Sequence, residues 1–246
     1  MKADPNDQRL LLELQEIDTA LAQLAHRRAH LPELAELAAL EREMSALQDE
    51  LARVRADADD LDRDIARLER DIEQVRDRKE RDSARLAAGT GPARELEALQ
   101  HEVESLTRRQ TVLEDQELEL MERREQVQGT IDDLEGRLAD AQRRRAEAEQ
   151  RRDAALAEIA AEEEARRQAR APLVARLPAD LVALYEKIRD DHDGIGAALL
   201  RGGRCGGCRL ELAGSERARV KAAPPDEVIR CEECRRIMVR DAESGL

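Results

Sequence analysis

Apolar residues recur along most of this chain at alternating steps of three and four. From Leu37 the series runs Leu40, Met44, Leu47, Leu51, Val54, Ala58, Leu61, Ile65, Leu68, Ile72 and Val75. It weakens through Lys79 and Asp82 and recovers at Leu86. A sustained heptad of this kind predicts a narrow seam for one partner helix, hence a left-handed coiled coil. An amphipathic helix on a globular core would carry a wider apolar stripe. Ala88-Gly89-Thr90-Gly91-Pro92 interrupts the pattern, because glycine and proline break helices and Pro92 suits the start of the next one. No strand precedes these glycines and no Lys-Ser/Thr follows, so they read as a hairpin tip rather than a phosphate loop.

A second series returns: Leu96, Leu99, Val103, Leu106, Gln110, Leu113, Glu117, Leu120, Arg124, Val127, Ile131, Leu134, Leu138 and Ala141, continuing through Arg145, Ala148, Arg152 and Ala155 to Ile159. Polar residues in one column of the seam specify register at a cost in stability. With the tip near residue 90, Glu117 is expected opposite Ile65 and Arg124 near Ala58. A shorter series, Leu10, Leu14, Ile17, Leu21 and Leu24, opens the chain behind a helix start at Asp4-Pro5-Asn6-Asp7. His30-Leu31-Pro32 divides it from the long arm.

Helices are therefore predicted at about 6–30, 32–87 and 93–171, with the tip at 88–92. The matched arm lengths favour an intramolecular antiparallel hairpin over residues 1–172. Ala171-Pro172 is read as the end of the return helix. Residues 173–194 then form a helical connector, with a turn at His192-Asp193-Gly194. A strand begins near Ile195, within a small β-rich domain over 195–246. The fold class is mainly α.

Composition supports long exposed helices. Of 246 residues, 40% are charged, there is no Trp or Phe, and Tyr185 is the single aromatic residue. No apolar run is long enough to span a bilayer. The opening MKADPNDQRLLLELQ has no signal-peptide h-region, which reads as cytoplasmic. The net charge of −14 argues against the whole molecule coating nucleic acid.

Candidate chemistry lies in the last fifth of the chain. Cys205-Gly-Gly-Cys208 and Cys231-Glu-Glu-Cys234 hold all four cysteines, 22 residues apart. Two CxxC pairs at this spacing predict one structural zinc ion, each pair presenting two thiolates from a tight turn. A redox CxxC usually occurs once beside a βαβ pattern, and a disulfide framework suits a secreted chain. Four thiolates leave no open coordination position, so the metal is expected to be structural rather than catalytic. His26, His30, His101 and His192 are scattered, and a hairpin with a ribbon offers no enzyme-sized pocket, so no catalytic activity and no small-molecule substrate are expected.

The chain resembles a bacterial family with a coiled-coil hairpin followed by a four-cysteine zinc ribbon. The resemblance rests on Arg94-Glu95-Leu96-Glu97-Ala98-Leu99-Gln100-His101-Glu102-Val103-Glu104-Ser105-Leu106, on Leu113-Glu114-Asp115, and on the two knuckles, Gly203 to Leu212 and Ile229 to Met238. The family includes flagellar and type III secretion regulators that bind the nitrogen-type alternative sigma factor, and an RNA role has been attached to it. The resemblance implies a non-enzymatic regulatory adaptor whose partner is an RNA polymerase sigma factor or a secretion or assembly component. Arg235 stands where the family usually has Gly, a residue suited to a left-handed turn.

Two contact surfaces follow. Arg76, Lys79, Arg81 and Arg85, with Arg78, approach the tip opposite Glu95, Glu97, Glu102 and Glu104, where the weak seam could open to a partner helix. Arg201, Arg204, Arg209, Arg217, Arg219 and Lys221 offer the ribbon a basic face for RNA, the alternative function. Against that alternative, residues 196–246 hold ten Lys/Arg and eight Asp/Glu, so a tetrathiolate zinc of about −2 leaves the domain near neutral. Aromatic residues for base stacking are missing there as well.

Overall fold

The computed structural model describes residues 1–245. Helix α1 spans Pro5–Ala29, α2 Pro32–Ala88, α3 Ala93–Arg176 and α4 Ala179–Asp191. Strands β1 (Ala197–Arg201) and β2 (Arg204–Cys205) precede α5 (Gly214–Ala222), and β3 (Ile229–Arg230) and β4 (Ile237–Val239) follow it. The fold is thus mainly helical with a small C-terminal sheet. It divides into two compact units, Ala35–Glu149 and Met1–Leu34 with the residues from Gln150 onward.

The Ala35–Glu149 unit is the hairpin seam. Every residue of the two predicted series within it is buried or half-buried, including the polar Lys79, Gln110, Glu117, Arg124 and Arg145. Leu47, Leu51 and Ala58 of α2 pack with Ile131, Leu134 and Ala141 of α3. Gly89 and Gly91 take φ of 60° and 144° at the tip, a conformation that favours glycine. The Pro92 carbonyl accepts from Glu95 and Leu96 to start α3. The arms are offset from the expected register: Arg124 donates to Asp62 at 2.8 Å rather than lying at Ala58. Arg76–Glu114 and Arg55–Glu135 also bridge the arms, shifted from the expected register in the same direction.

The second unit joins the chain ends into one core. Asp4 caps α1 by accepting from the Asn6 backbone, and Pro5 occupies the first turn. Leu11 and Leu14 of α1, Leu181, Val182, Tyr185 and Ile188 of α4, and Ala197, Ile237 and Val239 of the sheet share a single apolar cluster. Pro172 does not end α3, which continues to Arg176. Val174 and Leu177 pack on that cluster, and their burial offsets the cost of about 3 kcal/mol for an interior proline. The connector is therefore α4 and its flanking turns, and its core is shared with the sheet. A boundary between connector and ribbon at residues 194/195 does not describe this unit.

The sheet order is β2-β1-β4-β3, with β1 and β4 parallel and the other pairs antiparallel. Side chains alternate across it with a period of two. Ala197, Val228, Ile237 and Val239 face the helical core, whereas Leu200, Ile229 and Met238 face the cysteines. Met1 to Ala3 lie along residues 226–228, with Ala3 donating to the Asp226 carbonyl and Val228 to that of Met1. Gly196 has no room for a side chain, since a Cβ there would sit 2.6 Å from the Tyr185 carbonyl oxygen.

Candidate metal centre

Two knuckles of the same construction bring the cysteines together. In the first, the Arg209 backbone donates to the Cys205 carbonyl and the Cys205 backbone to that of Leu210. In the second, Arg235 donates to Cys231 and Cys231 to Arg236 in the same pattern. Each turn closes through a residue of positive φ, Arg209 at 65° and Arg235 at 61°. The left-handed turn expected at Arg235 thus has a twin at Arg209, one residue beyond the other CxxC. Replacing Arg235 by Gly should stabilise the ribbon by about 1 kcal/mol, because glycine adopts this conformation without a Cβ clash. Thermal melts of the zinc-loaded protein check this, and an unchanged or lowered midpoint counts against the strain.

The four Sγ atoms lie within 4.8 Å of one another. Cys205 and Cys234 are 3.8 Å apart at sulfur, and Cys208 and Cys231 3.9 Å. A tetrahedron with Zn–S bonds of about 2.3 Å has edges of about 3.8 Å, so the donor set fits one tetrathiolate Zn2+. Burial, with the charge of Cys205 nearby, pushes the Cys231 thiol up to about 12, and burial raises Cys205 as well. At Cys234 burial acts in the same direction but is outweighed by hydrogen bonds, led by the Arg236 backbone, which hold that thiol below its usual value. A buried cluster of this kind ionises when a divalent cation compensates it.

Helix α5 braces the second knuckle. Glu216, 3% exposed, accepts from the Glu232 backbone at 2.9 Å, and Arg219 pairs with the Glu232 carboxylate at 3.1 Å. Arg240, just past the end of β4, donates to five carbonyls, those of Val220, Ala223, Pro224, Pro225 and Glu227. It ties the end of α5 to the loop before β3, a role that no sequence motif marks. Arg240→Ala should destabilise the ribbon by about 3 kcal/mol, since several charge-assisted bonds are lost together. Arg240→Lys should recover only part of this, because an ammonium cannot reproduce the planar fork. Denaturant titration of the three proteins checks the order.

The predicted basic face is largely engaged within the chain. Arg201 pairs with Glu243, Arg204 with Glu211 and Arg219 with Glu232, while Arg217 donates to the Gly245 carbonyl. Arg209 and Lys221 are exposed and have no ion-pair partner among the described residues. Near the tip, Arg78 pairs with Glu102, Arg85 with Asp82, and Lys79 donates to Gln110 at 2.6 Å. Gln110 in turn donates to Glu114. The polar interruption of the seam is thus a satisfied layer, which Arg76 joins through Glu114, while Arg85 pairs within its own helix.

A buried polar cluster beneath the sheet has no counterpart in the sequence reading. Asp18, 7% exposed, accepts from Arg170 at 2.7 Å, Arg189 at 2.9 Å and the Tyr185 hydroxyl at 2.9 Å. Burial pushes the Asp18 carboxyl up, but these three hydrogen bonds outweigh it and hold the group below the usual carboxylate range. One turn away, the Gln15 carbonyl oxygen accepts from the backbones of Gly196 and Ala197, and its amide donates to the Gly194 carbonyl. Side chains of α1 thereby set the start of β1. The histidines form no constellation: His26 and His30 stack on each other, and His192 bonds the Ile188 carbonyl.

A helical hairpin whose base carries a closed four-cysteine metal site defines a coiled-coil zinc-ribbon protein. Residues 14–193 match the CT398-like coiled coil hairpin domain and residues 204–238 the C4-type zinc ribbon domain, and the chain belongs to the CT398-like hairpin family. The uncharacterized protein Rv2229c of Mycobacterium tuberculosis (strain H37Rv) is 43% identical over 240 residues, 98% of each chain. A solved structure from Mycobacterium smegmatis superposes with a TM-score of 0.86 at 40% identity, covering 98% of this chain and 100% of that one. CT398 of Chlamydia trachomatis shares the fold at a TM-score of 0.69 and 19% identity, over 96% of this chain and 98% of its own. The four cysteines are thus positioned for one structural Zn2+, and the two domains fit a non-enzymatic structural or adaptor protein. Among the described residues, no helix is long and apolar enough to cross a membrane.

Proposed function

We propose that the protein is a cytoplasmic, non-enzymatic adaptor that acts by protein–protein contact in transcription regulation or in assembly of a larger machine. The observation that carries this reading is the closed donor set. Four cysteines around one ion leave no position for substrate or water. What the chain then has to offer is surface, chiefly two long helical arms. The family resemblance makes an RNA polymerase sigma factor or a secretion component the first partner class to test. The RNA-binding alternative is weaker, because four of the six basic ribbon residues are already engaged within the chain. Affinity capture of the tagged chain from its native host, with and without nuclease, separates the two. The adaptor reading expects a stoichiometric protein partner that survives nuclease. Ribosomal or RNA-associated proteins that vanish with nuclease would favour the alternative.

A further inference from the structure

The two cysteine knuckles share a backbone pattern but not their side chains. The first carries Gly206-Gly207 between its cysteines, where the second carries Glu232-Glu233. Neither glycine has a positive φ, so the turn itself accepts a side chain at both places. The need for glycine comes from outside the knuckle. A Cβ on Gly206 would stand 2.6 Å from the Leu199 carbonyl oxygen of β1, and one on Gly207 2.6 Å from Cδ of Arg236. Arg236 belongs to the second knuckle, two residues past Cys234. Its counterpart two residues past Cys208, Leu210, is 53% exposed. Arg236 is instead half-buried, with its stem against Gly207 of the first knuckle.

Beyond Gly207 the same side chain reaches the turn between α4 and β1. Its Nε donates to the Ile195 carbonyl at 3.1 Å and its Nη2 to the His192 carbonyl at 3.1 Å. The Arg236 carbonyl accepts from the Cys231 backbone. Burial pushes the Cys234 thiol up, and hydrogen bonds that include those of the Arg236 backbone and side chain outweigh it. One residue on, the Ile237 backbone donates to the Gly196 carbonyl. Gln15 of α1 holds Gly194, Gly196 and Ala197 of the same turn. One arginine thus touches both knuckles, a cysteine of the donor set and the junction with the helical base. Partners of this kind orient metal ligands without binding the metal themselves. We infer that Arg236 is a positioning residue, which seats the first cysteine knuckle against the second and couples metal occupancy to the α4–β1 turn.

Competition for zinc between the full chain and a chromophoric chelator tests the proposal. Arg236→Ala should weaken zinc binding about tenfold or more, the usual loss when a ligand's outer partner is removed. Arg236→Lys should recover only part of it, because an ammonium lacks the planar fork that spans the two carbonyls. Gly207→Ala should weaken binding several-fold, since its Cβ displaces the Arg236 stem. Joined to Arg236→Ala it should add no further loss, because the Cβ then has room. Joined to Arg240→Ala, which leaves Arg236 in place, the two losses should multiply. A merely destabilising change would multiply in both backgrounds. Hydrogen exchange on the zinc-loaded variants reads the other end of the side chain. Residues 192–197 should lose protection in Arg236→Ala and in Gly207→Ala, while the α2–α3 seam keeps its own. Should Arg236→Ala fail to fold, Gly207→Ala carries both readouts. Wild-type zinc affinity in either variant overturns the inference. So do losses that multiply when Arg236→Ala and Gly207→Ala are combined, or a 192–197 turn that keeps its protection in the zinc-loaded variants.

Discussion

Cys205→Ser, or removal of zinc by a chelator, is expected to unfold the ribbon and to loosen the helical base beneath it, while the α2–α3 seam stays folded. Structural zinc contributes on the order of 10 kcal/mol to small domains at neutral pH, more than a typical domain's whole stability margin. The apolar cluster on the cysteine side, with Leu200, Val220, Ile229 and Met238, is small and has no other staple. The effect should not stop there. Ile237 and Val239 leave the helical core when β4 is lost, exposing Leu11, Leu14, Leu181 and Tyr185. Tyr185, the single aromatic residue and fully buried, reports this directly through its quenching by a soluble quencher. The far-UV helical signal should fall only modestly, because the Ala35–Glu149 unit has its own seam core. Zinc content falling to zero with Tyr185 still shielded would show that the base stands without the ribbon.

Asp18→Ala is expected to destabilise the base unit by about 3–5 kcal/mol, the cost of stranding a buried ion's partners. Arg170 would keep Glu186 at 2.9 Å and Arg189 would keep Asp190, but the Tyr185 hydroxyl would lose its 2.9 Å acceptor. The same cluster sets a pH dependence. The folded carboxyl of Asp18 lies below its unfolded value of about 3.9, so the folded state binds fewer protons there than the unfolded one. Its contribution is therefore complete above about pH 5 and is lost as pH falls through the unfolded and then the folded value. Chemical denaturation at pH 7 and pH 3 should show a smaller drop for Asp18→Asn than for wild type. An equal drop in both would remove Asp18 from the acid response.

The seam was legible because a period of 3.5 repeated over many turns leaves few alternatives, and the cysteines because their spacing matches a metal's geometry. The register was less so. Arg124 meets Asp62 rather than Ala58, and that offset depends on how the Gly89-Thr90-Gly91-Pro92 tip closes, which the heptad does not encode. Gln15 and Asp18 look like ordinary exposed polar positions on an amphipathic helix. Their burial is created by Arg170, Tyr185, Arg189 and Gly196, some 150 or more residues away in sequence. Pro172 misleads for a related reason, since Val174 and Leu177 gain a core that lies elsewhere in the chain. The parallel pairing of β1 with β4 is likewise a tertiary outcome, fixed by two short strands packed between the helical core and the cysteines. Arg209 was identifiable in principle, as the residue one past its CxxC that corresponds to Arg235.

Zinc, ribbon and helical base are expected to unfold as one cooperative unit, separate in stability from the hairpin seam. Hydrogen exchange by mass spectrometry on the full chain, with and without a zinc chelator, tests it most directly. Chelation should remove protection from the ribbon strands and from α1 and α4 together, while peptides from the seam between Leu40 and Ala148 keep theirs. Loss confined to the ribbon between Arg204 and Met238, or loss spreading equally through the seam, would contradict it.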